Sequence, residues 1–300
     1  MFTPSLESVR PDVARLPVVF VNAYLVGEPG KAAPWALVDT GLPGAAPLVR
    51  AAARARFGSR PPAAILLTHG HFDHAGAALA LARAWDVPVY AHPMELPYLT
   101  GRSDYAPPDP TIPGAISALS RVFPHTGRDL GTHVRALPDD GTVPGMPGWT
   151  WLHTPGHTAG HVSFWRESDR TLLAGDAVVT VDLDSWAALL AMPRQFDRPP
   201  APLTPDWDAA LKSVSLLAAL APEAVGAGHG QAVTRGTANA LHTFAAHVLP
   251  PAVGRYTHAP ALADEHGLLS LPPSVPDPFP LKVAAGAALG LLVAARRRRR

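Results

Sequence analysis

The stretch Thr68-His69-Gly70-His71-Phe72-Asp73-His74 concentrates three imidazoles and one carboxylate in a few consecutive residues. It follows an apolar run over 63–67 whose composition predicts a buried strand. A strand that ends in a tight loop can turn His69 and His71 the same way, because they are two residues apart. Asp73 and His74, at the turn into the next helix, can point elsewhere. The segment therefore predicts ligands for two neighbouring metal positions, of a type that suits zinc, iron or manganese.

Three later residues of the same chemical types follow other predicted strands and lie beside glycines. They are His157 in Thr154-Pro155-Gly156-His157-Thr158, Asp176 in Gly175-Asp176 and His229 in Gly228-His229-Gly230. Glycine lets the backbone pass close to a metal ion because it has no Cβ atom. We expect these three side chains to complete the site.

The order of these motifs along the chain resembles the metallo-β-lactamase superfamily. THGHFDH, TPGHTAGH, AGD and GHG follow an earlier DTG, and the resemblance spans roughly residues 18–230. It implies an α/β fold, a four-layer αββα sandwich with a metal centre at one edge of two packed sheets. It also implies two metal positions: the first with His69, His71 and His157, the second with Asp73, His74 and His229, and Asp176 bridging them.

The resemblance also implies a chemistry. The expected cofactors are two Zn²⁺ ions, with iron or manganese as alternatives, and the expected nucleophile is a hydroxide between them. Asp73 is in addition a candidate for proton handling. Asp39 is expected to support the site from beside it, and His161 to hydrogen-bond a nearby loop. The chain is similar to glyoxalase II-like and other bacterial metallo-hydrolases, which predicts an enzyme that hydrolyses a small ester, thioester or lactone.

Other members of this superfamily remain alternatives. A mononuclear iron persulfide dioxygenase shares most of the ligand positions. True β-lactamases lack an aspartate of the AGD type, which disfavours antibiotic hydrolysis. A nuclease or phosphodiesterase would use a basic groove, but without the arginines at 296–300 the chain has 20 basic and 24 acidic residues. We therefore expect a small-molecule substrate and no nucleic-acid partner.

Composition excludes several other classes of protein. The chain has 300 residues, of which 47% are apolar and 16% charged, so intrinsic disorder is excluded as its main state. It contains no cysteine, which excludes disulfides, thiolate-bound zinc, iron–sulfur clusters and thiol catalysis. The first residues carry neither a basic nor an apolar signal region, so the expected location is the cytoplasm.

The pattern along the chain predicts one domain over 1–270 and a tail over 271–300. Predicted elements include a single strand over 18–26 and a helix to about 220 that is capped by Thr204. Residues 93–148 are rich in proline and glycine and predict an inserted loop region with at most one short helix. Its aromatic residues Tyr98, Tyr105 and Phe123 either line a substrate pocket or pack on the sheet.

The tail and three arginines have more than one interpretation. Residues 283–295 are apolar and precede five arginines, which predicts a helix docked on the domain, a peripheral membrane contact or attraction to nucleic acid. Arg194, Arg198 and Arg255 either bind an acidic substrate group or form ordinary surface contacts. The substrate, the native metal and the oligomeric state do not follow from the sequence.

Overall fold

A computed structural model of the chain describes residues 5–277 and 279. The strands in this part of the chain are β1 (Glu7–Arg10), β2 (Val13–Val18), β3 (Val21–Val26), β4 (Ala36–Val38), β5 (Ala64–Leu66), β6 (Val89–Ala91), β7 (Val134–Ala136), β8 (Thr150–His153), β9 (Val162–Arg166), β10 (Thr171–Gly175), β11 (Ala224–Ala227), β12 (Leu262–Asp264) and β13 (Gly267–Ser270). The α-helices are α1 (Ala46–Phe57), α2 (Ala78–Trp85), α3 (Leu96–Leu99), α4 (Ala115–Ser120), α5 (Trp186–Ala191), α6 (Trp207–Ala219) and α7 (Thr237–His247).

The strands form two main sheets and one hairpin. The first sheet has the order β1-β2-β3-β4-β5-β6-β7; its pairs are antiparallel from β1 to β4 and parallel from β4 to β7. The second has the order β11-β10-β9-β8, in which only β10 and β11 run parallel. Strands β12 and β13 pair with each other as a separate antiparallel hairpin.

Alternation of side chains along the strands separates the apolar core into layers. In β5, Leu66 packs into the cluster between the two sheets, whereas Ile65 packs against α1 and α2. In β10, Leu173 joins the cluster between the sheets, and Leu172 packs against α6 and α7 on the other side. The layers are therefore helices, sheet, sheet and helices, and the predicted αββα sandwich is confirmed.

The prediction of one strand over 18–26 is wrong. The chain instead forms a hairpin in which Val18, the last residue of β2, pairs with Val21, the first residue of β3. Val19 in the turn has a φ of +62° and its side chain is 85% exposed. A β-branched residue is rarely found in this left-handed conformation, so the sequence carries no turn signal at this point.

The predicted cap of α6 is also wrong. The helix begins at Trp207, and the side chain of Asp206 accepts a hydrogen bond from the Ala209 amide at 2.9 Å. The Thr204 hydroxyl donates to the Pro200 carbonyl oxygen at 2.9 Å instead. Thr204 therefore belongs to the loop before the helix, and Asp206 is the N-cap.

Residues 93–148 contain more regular structure than the predicted single short helix. Besides α4, the segment contains α3 and strand β7, which pairs in parallel with β6 and forms one edge of the first sheet. The predicted apolar tail over 283–295 lies outside the described residues. Within 5–277 and 279, no helix has the length and apolar character needed to cross a bilayer.

The packing between the sheets predicts a large effect of Phe164→Ala. Phe164 is fully buried in the cluster between the two sheets. We expect the substitution to lower the free energy of unfolding by about 3–5 kcal/mol, because it leaves a cavity. Leu190→Ala is the control, since Leu190 is 89% exposed and its loss is expected to change stability by less than about 0.5 kcal/mol. Equal urea midpoints of both variants at a fixed metal concentration would contradict this packing.

Candidate metal centre

Three histidine nitrogens meet in the loops that follow β5, in the first sheet, and β8, in the second sheet. His69 Nε2 lies 3.1 Å from His71 Nδ1, which lies 3.0 Å from His157 Nε2. Burial lowers the pKa of all three imidazoles, and that of His71 falls to about 3. The three rings are therefore neutral, and their lone pairs can serve as ligands for one ion.

A second group of three lies beside the first. Ligand atoms of Asp73, His74 and His229 all lie within 4.8 Å of one another. Asp73 Oδ2 is 3.9 Å from His74 Nε2 and 3.6 Å from His229 Nε2. Burial alone would lower the pKa of His74, but the carboxylates of Asp176, Asp39 and Asp73 outweigh it and raise that pKa well above its ordinary value. The negative charge at this position therefore favours a cation.

Asp176 lies between the two groups. Its Oδ2 is 3.5 Å from His157 Nε2 in the first group and 3.1 Å from His229 Nε2 in the second. Its Oδ1 is 3.5 Å from His74 Nε2. Burial would raise the pKa of this carboxyl, but His229 and His74 hold it well below the usual range. The side chain is thus a carboxylate that reaches both groups.

Two buried atoms in the cluster are suited to a metal ion. Among the described residues neither His74 Nε2 nor Asp176 Oδ1 has a hydrogen-bond partner, and the two atoms lie 3.5 Å apart. Buried polar atoms in folded proteins are normally paired, so two such atoms facing each other need an explanation. A cation between them would satisfy both, and a set of imidazoles and carboxylates suits zinc, iron or manganese. The residues present therefore fit a metal centre.

Asp39 holds His74 and the start of the histidine loop. Its Oδ1 accepts the Thr68 amide at 2.8 Å, and its Oδ2 accepts both the Thr68 hydroxyl and His74 Nδ1–H at 2.8 Å. The backbone of Asp39 has a φ of +57°, an uncommon conformation outside glycine. The hydrogen bond places the proton of His74 on Nδ1 and leaves Nε2 free to face the site. Asp39 thus lies where a supporting residue was predicted.

His161 contacts Asp176 through the backbone. The Asp176 amide donates to His161 Nε2 at 2.9 Å, so the proton of this ring is on Nδ1, which faces the Thr154 hydroxyl at 2.9 Å. Burial lowers the pKa of His161 to about 3, in keeping with a neutral ring. Because its Nε2 is occupied, His161 is not available as a ligand. It fixes the loop that carries Asp176.

Two further contacts on ligand histidines were not predicted. His229 Nδ1–H donates to the Phe20 carbonyl oxygen at 2.8 Å, and the rings of the two residues stack. His157 Nδ1 lies 3.3 Å from the Thr204 hydroxyl, which itself donates to a carbonyl and so accepts from this ring. Each contact places a proton on Nδ1 and turns Nε2 toward the centre. Phe20 lies in the hairpin turn that the sequence did not reveal.

Glu95 connects two loops of the site through hydrogen bonds and was not predicted from the sequence. Its side chain is fully buried, and its carboxylate accepts four hydrogen bonds. The donors are the Gly70 amide at 2.8 Å, the Gly160 amide at 3.1 Å, and the Thr158 and Tyr105 hydroxyls, each at 2.6 Å. Gly70 lies between two ligand histidines, and Thr158 follows His157 directly. Glu95 therefore joins the two loops that build the first group.

Gly228 shows why glycine adjoins the ligands. A Cβ atom at this position would overlap Asp176 Oδ1 and contact the ring of His74. Any side chain at 228 would therefore displace the carboxylate that lies between the two groups. The expectation that glycine lets the backbone approach the metal site holds here in detail.

A cavity of about 270 Å³ opens beside the first group. It is lined by residues from five parts of the chain: His71, Met94, Tyr98, Tyr105, Ala106, His153, Pro155, Gly156, His157, Thr158, Ala159, Leu203, Pro205, Asp206, Ala209, Ala261, Leu262, Ala263 and Leu268. Tyr98 and Tyr105 thus line a pocket, whereas Phe123 packs against Phe72. A ligand in the cavity would touch two of the three histidines of the first group.

Comparison with known proteins agrees with this geometry. The sequence profile of the metallo-beta-lactamase superfamily matches residues 16–229, which include both groups of ligands and Asp176. The chain belongs to the metallo-β-lactamase superfamily. The matched region ends at His229, so the β12–β13 hairpin lies beyond it.

Three individual relatives illustrate the range within the family. The "Probable metallo-hydrolase YflN" of Bacillus subtilis (strain 168) is 44% identical over 221 residues, which cover 73% of this chain and 84% of YflN. The hydroxyacylglutathione hydrolase of Bdellovibrio bacteriovorus is 34% identical over 116 residues, 39% of this chain and 34% of that enzyme. The crystal structure of the BLEG-1 B3 metallo-beta-lactamase superposes with a TM-score of 0.52 at 26% identity, covering 78% of this chain and 97% of BLEG-1.

The contacts of Glu95 predict that Glu95→Ala weakens metal binding. The variant removes the acceptor shared by the two histidine loops, so we expect metal affinity to fall about 10- to 100-fold, as for other residues that orient ligands. Chelator competition measures the affinity, and circular dichroism checks the fold. Glu265→Ala is the control because that glutamate is exposed. An unchanged metal affinity in folded Glu95→Ala would show that the link between the loops is dispensable.

Proposed function

We propose that this protein is a dinuclear metal-dependent hydrolase of small esters, thioesters or lactones, with two Zn²⁺ ions as cofactors and iron or manganese as alternatives. The observation that carries the proposal is the arrangement of two ligand groups around Asp176, beside a cavity that His71 and His157 also line. The name of YflN, a probable metallo-hydrolase with 44% identity, supports hydrolysis as the reaction class.

In the proposed centre, His69, His71 and His157 would hold the first ion, and Asp73, His74 and His229 would hold the second. Asp176 would contribute to both. The chemistry that bound metal ions supply at such a site is Lewis-acid activation of water and of an acyl oxygen. Because the nucleophile is water, no serine or cysteine nucleophile is required.

The residues of the chain position the substrate and handle the proton. The cavity holds one part of the substrate so that its acyl carbon lies next to the histidines of the first group. Water adds to that carbon, the bond from the carbon to the leaving oxygen or sulfur breaks, and a proton from the water passes to the leaving group. Asp73, with one carboxylate oxygen turned to His229, has a second oxygen for this proton.

Three other expectations remain predictions. They are a cytoplasmic location, the absence of a nucleic-acid partner, and a peripheral membrane contact through the tail over 283–300. The tail lies outside the described residues, and the proposed chemistry does not depend on it.

Asp176→Ala tests the central part of this proposal. The variant removes the carboxylate that reaches both groups. We therefore expect about one metal ion or fewer per chain. We also expect turnover to fall by about 100-fold or more, because one of the two ions no longer contributes to the reaction. Elemental analysis and assays on an ester, a thioester and a lactone measure the two effects. Asp140→Ala is the matched control, because that aspartate is exposed and its carboxylate accepts hydrogen bonds from Thr142 within its own turn.

Two outcomes would contradict the proposal. Full metal content with parental turnover in Asp176→Ala would show that Asp176 does not bridge the two metal positions. A parent protein that holds one iron ion per chain and consumes oxygen with glutathione persulfide would instead be a dioxygenase, the alternative that shares most of these ligands.

A further inference from the structure

The cavity beside the first group has a rigid aromatic wall. The rings of Tyr98 and Tyr105 stack with centroids 4.1 Å apart and planes 16° apart, and the Tyr105 ring packs edge-on against His71. The Tyr105 hydroxyl donates to buried Glu95, so this polar atom is already paired. The wall therefore presents mainly ring carbon to a ligand.

Another part of the lining comes from the β12–β13 hairpin, which carries Leu262 and Leu268. Two hydrogen bonds from backbone amides hold it: the Leu268 amide donates to the Ser103 hydroxyl, and the Ala261 amide donates to the Pro205 carbonyl, both at 3.0 Å. The hairpin lies beyond the region that the superfamily profile matches. It therefore shapes the pocket from outside the matched region.

The charges around the cavity are unusual for a site that takes an anion. In the part of the chain that the structure describes, no lysine or arginine lines it, and the one acidic lining residue is Asp206. The three arginines considered for an acidic substrate are used elsewhere: Arg198 pairs with Asp184, Arg194 with Gln231, and Arg255 with the Pro272 carbonyl.

We propose that this cavity binds an uncharged, apolar acyl group and discriminates against an acyl group that carries a carboxylate. The inference rests on the proposed hydrolase function and adds its substrate class. The acyl carbon is the group placed next to His71 and His157, so a carboxylate at the other end of the acyl chain would lose water without meeting a lysine or arginine of the lining, and it would meet the like charge of Asp206. The volume of about 270 Å³ is near the lower end of ligand pockets, which suits a small group.

A matched pair of esters tests the discrimination in the metal-loaded protein. The two are 4-nitrophenyl hexanoate and mono-4-nitrophenyl adipate, whose acyl chains have equal length and differ by a terminal carboxylate. We expect kcat/KM for the hexanoate to exceed that for the adipate by about tenfold or more, which corresponds to about 1.4 kcal/mol. Equal values, or a preference for the adipate, would overturn the inference while leaving the hydrolase function intact.

A charge placed in the wall makes the test specific to this cavity. Leu262→Arg puts a cation on the lining at a position that is 55% exposed and therefore tolerant of a long polar side chain. We expect it to raise the adipate-to-hexanoate ratio of kcat/KM about five- to tenfold. Leu269→Arg is the control, because Leu269 lies on the same hairpin, is 61% exposed and does not line the cavity. An equal change in both variants would show that the cavity does not select the acyl group.

Removal of the one lining carboxylate gives an independent result. Asp206→Asn keeps an N-cap residue for α6, because asparagine caps as well as aspartate. We expect this variant to raise the adipate-to-hexanoate ratio of kcat/KM above that of the parent. An unchanged ratio would show that the charge of Asp206 does not act on the acyl group.

Failure of the hydrolase function would be distinguishable from failure of this inference. If neither ester is turned over, NMR titration measures the binding of the two corresponding 4-nitrophenyl amides. Their affinities still show whether the cavity prefers an uncharged acyl group. Tighter binding of the hexanoyl amide than of the adipoyl amide, with the difference reduced in Leu262→Arg, supports an apolar acyl pocket. Equal binding overturns the inference whatever reaction the enzyme catalyses.

Discussion

The centre depends on where each histidine carries its proton. His69, His74, His157 and His229 each have an oxygen acceptor at Nδ1, on the side away from the centre. Each acceptor holds a proton on the outer nitrogen and turns Nε2 inward. These nitrogens and the carboxylates of Asp73 and Asp176 face one another away from solvent, with N···O separations of 3.1 to 3.9 Å. Such an arrangement is unfavourable by itself, so metal binding and the stability of this edge are expected to be coupled.

The fold supplies the acceptors from distant parts of the chain. Asp39 follows β4, the Phe20 carbonyl lies in the β2–β3 turn, and Thr204 lies in the loop before α6. Strands β4 and β5 are parallel neighbours, which places Asp39 directly beside the loop that starts at Thr68. The two packed sheets bring the remaining contacts to the same edge. The layered core thus fixes the groups that accept hydrogen bonds from the Nδ1 atoms of the histidines.

The candidate ligands are predictable from sequence in two ways. His69, His71, Asp73 and His74 share one loop, whereas the later candidates stand next to glycines at strand ends and take their grouping from the family resemblance. Glu95 is not predictable in this way, because its partners at Gly70, Thr158 and Gly160 are 25 to 65 residues away. The hairpin at Val19 was missed because a valine with a positive φ gives no turn signal, and the fold alone imposes that conformation.

The substrate pocket is the least predictable part of the site. The sequence marks Tyr98 and Tyr105 only as aromatic residues in a loop-rich segment, and stacking and the bond to Glu95 decide that they form a wall. The β12–β13 hairpin has exposed apolar residues and a short, irregular register, so its pattern does not stand out as a sheet. Its place against the metal edge comes from hydrogen bonds that the Leu268 and Ala261 amides donate to the Ser103 hydroxyl and the Pro205 carbonyl.

The most direct measurement is a crystal structure of the metal-loaded protein with anomalous data that locate and identify the ions. The account predicts two ions about 3.5–4 Å apart, one on His69, His71 and His157 and the other on Asp73, His74 and His229, with Asp176 between them. A single ion in the fully loaded protein, or ions that leave His74 Nε2 and Asp176 Oδ1 without a ligand bond, would contradict it.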